Sequence, residues 1–162
     1  AGDWHAGADT VALVTGVASG LVAAAGCFAG GWLCDRMDRQ SAYALFGALL
    51  AVCAAAMAWA PRTEAMYIVF TTVYALISGF SYAAFSALVL EAIGRGAAAT
   101  KYTLFASLSN MPIAYMIVVN GWAHGRWGAG GMLLGEAAIG VAALGLFVAG
   151  AAGTRRRGPV PG

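Results

Sequence analysis

The stretch AMYIVFTTVYALISGFSYAAFSALVL, residues 65–90, holds no Asp, Glu, Lys or Arg. As a helix it is about 39 Å long, and a bilayer's hydrocarbon core is about 30 Å thick. Residues 10–34, 40–61 and 102–125 are equally free of these charges, and residues 128–153 carry Glu136 alone. Buried helices of water-soluble domains rarely recur at such length without charge. The whole chain agrees: 61% of its residues are hydrophobic and 10% charged, where a soluble domain carries about 25% charged residues. The expected fold is an all-α polytopic membrane helix bundle. Its five transmembrane helices lie near 10–33, 42–60, 66–91, 101–121 and 131–151. Short loops favour antiparallel neighbours. The bundle fills residues 1–153, and 154–162 reads as a basic, Gly/Pro-rich cytoplasmic tail.

Basic residues orient the bundle. Arg36, Arg39, Arg95, Lys101, Arg155, Arg156 and Arg157 fall on one side, and Arg62 and Arg126 on the other. The richer side is cytoplasmic by the positive-inside rule. That places the N-terminus outside and the C-terminus inside. Trp4, Trp59, Trp122 and Trp127 then sit at outer ends of spans, as an aromatic belt would. The chain starts at Ala1 with no basic segment or cleavage site before the first span, so that span is no signal peptide. The start suggests a piece of a longer chain.

Other classes find little support. Cys27, Cys34 and Cys53 show no CxxC spacing and read as small packing residues. A net charge of +2 without basic stripes gives no nucleic-acid surface. No metal set, cofactor motif or P-loop is present, so no cofactor is expected. Gly16-x-x-x-Gly20, Gly26-x-x-x-Gly30 and Gly131-x-x-x-Gly135 each put small residues on one helix face, where backbones can approach closely.

The most specific segment is Gly30-Gly31-Trp32-Leu33-Cys34-Asp35-Arg36-Met37-Asp38-Arg39-Gln40. It resembles the G-x-x-x-D-R-x-G-R-R loop of the major facilitator superfamily. Gly31, Asp35, Arg36 and Arg39 match; Asp38 replaces the second glycine and Gln40 the last basic residue. Such departures are similar to the family's weaker second copy, between its eighth and ninth helices. On that resemblance the chain is helices eight to twelve of a secondary active transporter working by alternating access, in the bacterial inner membrane. Its partners are membrane lipid, a small-molecule substrate and the transporter's missing N-terminal half, where Asp35 would find its latch partner. Tyr82 to Glu91 and Thr100 to Pro112 resemble the muropeptide permease and acetyl-CoA transporter branch.

Polar groups inside the bilayer need a reason. Ser78 and Tyr82 fall mid-span in the third helix, and Ser109, Asn110 and Tyr115 near the middle of the fourth. Gly79 and Pro112 are expected to interrupt those helices, which the resemblance sets around a central cavity. These five are the substrate-cavity candidates. Gly31, Asp35, Arg36, Arg39, Glu91, Arg95 and Lys101 are the cytoplasmic latch or gate candidates, with Glu91 close to Arg95 and Lys101. Glu136, about five residues inside the last span, reads as a snorkelling or packing residue. His124 is expected in an outer loop. A small oligomeric scaffold or channel subunit is the alternative. More remote is an intramembrane hydrolase using Ser19 or Ser78, for which no span supplies a His.

Overall fold

The computed structural model describes the backbone of residues 1–93 and 98–156, and the side chains of 1–93 and 99–151. Every long element in it is helical. After a 3₁₀ turn at Gly2–Trp4 come α1 (Ala8–Cys34), α2 (Arg39–Trp59), α3 (Glu64–Ile93) and α4 (Ala98–Arg156). Among the described residues, four helices are therefore long and apolar enough to cross a membrane. Their outward faces are carbon: Phe28 is 83% exposed and Leu146 77%. Faces of this kind belong against lipid.

Local chemistry sets the helix ends. Asp38 caps α2, its carboxylate accepting from the Ser41 backbone N–H at 3.0 Å and the Ser41 hydroxyl at 2.8 Å. One of the two residues that depart from the loop pattern, Asp38, thus has a structural task. Pro61 ends α2 by holding Ala60 extended, at φ −67° and ψ 151°. The Thr63 hydroxyl oxygen accepts from the Met66 backbone N–H at 3.3 Å as α3 begins. Within the spans, hydroxyls turn back on their own helix. Thr15 donates to the Val11 carbonyl at 2.6 Å, Ser19 to Thr15 at 2.6 Å and Thr72 to Ile68 at 2.7 Å. A bilayer offers these groups no water, so the nearest carbonyl serves. Residues Ala12–Ala18 of α1 form a π-helical stretch.

α3 packs closely on α1 through glycine. Gly79 lies directly on the Ala23 carbonyl and the Cys27 backbone nitrogen, and Gly26 on the Leu76 carbonyl. A Cβ at Gly30 would sit 2.8 Å from the Phe80 Cα. Of the three small-residue motifs, Gly26-x-x-x-Gly30 is the one that works this way. Gly16, Gly20 and Gly135 have open space beside them, and Gly131 faces the Trp127 side chain. Gly79 does not interrupt α3, which runs unbroken through it. The buried cluster Cys34, Ala42, Phe46 and Ala84 joins the ends of α1, α2 and α3 nearest the Asp35 loop.

α4 departs most from expectation. The expected break over residues 122–130 is helical up to Trp127, and Pro112 lies inside the helix without ending it. The interruption is one residue, Gly128, at φ 67° and ψ −171°. Only glycine occupies that region readily. There the chain doubles back. Asn120 and Glu136 would stand about 24 Å apart on a straight helix, yet their side chains approach to 3.5 Å. α4 is a hairpin of two arms, 98–127 and 129–156. The second arm continues through Arg156, into the stretch read as the basic tail. His124 is helical and faces Asp3 at 3.8 Å.

The first three helix boundaries fall within about three residues of expectation. The belt assignment fails for Trp4, which is 2% exposed and packed under the Arg62 guanidinium at 4.7 Å. Trp59, Trp122 and Trp127 are exposed, with the last two ring-to-edge at 4.9 Å.

Candidate functional site

Where α2 and α3 meet the two arms of α4, they leave a cavity of about 400 Å³. Its wall is mostly carbon. Leu50, Ala51 and Ala54 come from α2, Pro112 and Met116 from the first arm, and Ile139, Leu144 and Phe147 from the second. Tyr43 packs edge-on against Phe147, ring centroids 5.1 Å apart.

One polar group cluster breaks this wall. The Tyr74 hydroxyl on α3 donates to Glu136 Oε1, and the Asn120 amide stands 3.5 Å from Oε2. α3 and the first arm of α4 hold the carboxylate carried by the second arm, and it joins the cavity to a second, more open hollow lined by Ile113, Ile117 and Asn120. Asn120 and Glu136 each lie eight residues from Gly128, which is about 12 Å of helix. Glu136 therefore does not snorkel to a nearby surface. It turns inward, and among the described residues it has no cationic partner.

Comparison with known protein families, curated proteins and solved structures returned no match. The arrangement must then be understood from its own chemistry. A hydroxyl from α3 and an amide from the first arm of α4 are both directed at one carboxylate on the second arm. The carbon wall around it makes a charge there count for more than it would in water.

None of the expected cavity residues lines this space. Ser109 and Asn110 both donate to the Ala106 carbonyl of their own helix, at 2.7 and 3.3 Å. Tyr115 is exposed, and so is Tyr82, which lies beside Tyr102. Ser78 is half-buried in α3, away from the cavity.

The loop candidates fare differently. Arg39 pairs with Glu91 at 3.3 Å, tying the start of α2 to the end of α3. Glu91 thus has its partner in the loop motif. Lys101 donates instead to the Ile93 carbonyl at 3.2 Å. Arg36 stacks over Trp32, 3.5 Å from the ring centroid. Asp35 is exposed, and Gly31 has no close neighbour where a side chain would stand. Arg95 lies outside the described residues.

Sequence reasoning missed Tyr74 and Asn120 and misjudged Glu136. The signal for Glu136 was present, as the one charge within 128–153. The signal for Asn120 was its equal distance from the Gly128 break. Nothing in the pattern of α3 distinguished Tyr74 from its neighbours.

Proposed function

We propose that this chain is the C-terminal portion of a secondary transporter that moves a small solute by alternating access. The two arms of α4 cross the bilayer separately, giving five crossings with the N-terminus outside and the C-terminus in the cytoplasm. The observation that carries this reading is the intramembrane carboxylate, set in a carbon-walled cavity among α2, α3 and a helix hairpin. Ionisable groups at such depth are costly and mark solute or proton paths. Resemblance of the Gly31–Arg39 loop to that of the major facilitator superfamily supports the same reading. Under it, the Arg39–Glu91 pair closes the cytoplasmic end in one state and opens in the other.

Accessibility from the two membrane faces tests this. Gly47 lines the cavity and has open space for a side chain. In the transporter of which this chain is a part, made free of other cysteines with Cys27, Cys34 and Cys53 replaced by Ala, Gly47→Cys is exposed to a membrane-impermeant thiol reagent in right-side-out and inverted vesicles. The transporter reading expects modification from each face. It also expects an Arg39→Gln variant, freed of its latch, to shift reactivity toward the cytoplasmic face. Labelling from one face alone, unmoved by Arg39→Gln, would make a static scaffold the better description.

A further inference from the structure

We infer that the Glu136 cavity binds a lipophilic monovalent organic cation. The inference deepens the transporter reading and rests on it for the cavity's place within the bilayer.

Three features of the cavity point to this class. First, among the described residues Glu136 is the one formally charged residue in the wall, and no Lys, Arg or His lines it. The titratable groups that face Glu136 among the described residues are Tyr74 from α3 and Cys53 from α2, and neither supplies a positive charge. A carboxylate removed from water needs a compensating charge beyond its hydrogen bonds. Second, the hydrogen-bond donors are already in place. Tyr74 and Asn120 fix the carboxylate from one side, and its other side opens on the cavity.

Third, the cavity's size and surface exclude the simpler cations. A space of about 400 Å³ falls in the range that takes organic ligands. Mg²⁺ or Ca²⁺ would want about six oxygen ligands, and the lining side chains offer only the Glu136 carboxylate and the Tyr43 and Tyr74 hydroxyls. A proton alone would neutralise Glu136 but leave this carbon surface unfilled. An apolar body carrying one positive charge satisfies both. Further along the same wall, the rings of Tyr43 and Phe147 add apolar surface for that body.

The test uses the full chain in lipid nanodiscs and radiolabelled tetraphenylphosphonium, with neutral triphenylphosphine oxide for comparison. Saturable binding of the cation is expected at one site per chain. Glu136→Gln keeps the side chain's size and removes its charge, and should weaken binding on the order of 30-fold. Glu136→Asp should restore most of that loss, and the neutral compound should respond to neither substitution. Thermal unfolding of each variant establishes that it is folded. Equal affinity in the native chain and in folded Glu136→Gln overturns the inference, as does absence of cation binding by the folded native chain. The two proposals fail separately. Charge-dependent binding without two-sided accessibility of Gly47→Cys leaves the site and removes the transporter. Two-sided accessibility without binding does the reverse.

Discussion

Replacing Gly79 with Ala adds one methyl group where α3 lies directly on the backbone of α1. That methyl would stand 2.9 Å from the Cys27 nitrogen and 3.0 Å from the Ala23 carbonyl carbon, and closer still to the Ala23 oxygen. Ordinary contact begins at 3.4 Å. Its neighbours are helical backbone, so no side chain can rotate out of the way. The helices must part locally by about 1 Å, a distance set by the Ala23 oxygen. A gap of that size forfeits about a quarter or more of each dispersion contact across the interface. Overpacking of this kind costs about 1–3 kcal/mol. Ala's better helix propensity returns up to about 1 kcal/mol. The expected net loss is roughly 1–2 kcal/mol. Reversible unfolding in mixed detergent micelles, followed by far-UV circular dichroism, measures it. Gly20→Ala is the control, because nothing stands within 4 Å of that position; it should be neutral or slightly stabilising. If Gly79→Ala proves as stable as Gly20→Ala, the glycine contact does not set the spacing of α1 and α3.

Two further substitutions test the elements that shape the site. Gly128→Ala places a side chain at φ 67° and ψ −171°, a strain of about 1–3 kcal/mol, while Gly125→Ala in the regular helix nearby should cost nothing. Equal stabilities for the two variants would refute the single-residue hinge. Asp38→Ala removes the cap of α2 and should cost about 0.5–2 kcal/mol in the same unfolding assay, with Asp38→Asn retaining most of the stability. A neutral Asp38→Ala would mean that the Ser41 hydrogen bonds contribute nothing net.

The bundle was legible because a bilayer makes few demands and makes them strictly. Charge-free length alone marked α1, α2 and α3 to within about a turn. Their ends were written in Asp38, Pro61 and Thr63, whose effects are local. The Gly26-x-x-x-Gly30 face was visible too, but so were two similar motifs whose glycines lie on no neighbouring helix backbone. Spacing says that a backbone approach is possible; only the partner decides whether it happens. The cavity was less legible for the same reason. Ser109 and Asn110 looked like solute contacts, yet a carbonyl on their own helix lies within reach and is free of desolvation cost. Tyr74, Asn120 and Glu136 are brought together by a hinge, across separations of 16 and 62 residues. No helical period within one segment records such a meeting. What betrays it is the glycine between the arms, read as a pivot instead of a loop.

Gly128 also works as a ruler. Asn120 and Glu136 meet because each arm counts eight residues from the fold point. Adding a single residue to either arm would swing every side chain beyond it through about 100° and lift it by about 1.5 Å. Asn120 would then look into lipid, or Glu136 would turn from Tyr74. The hairpin's tip is consequently intolerant of length change, although it is a turn between helices and such places usually accept insertions. Only an addition close to whole helical turns, about seven residues, would keep the facing; even so, it would move that partner by two turns and break the meeting. In this part of the chain it is counting, more than composition, that selection has to preserve.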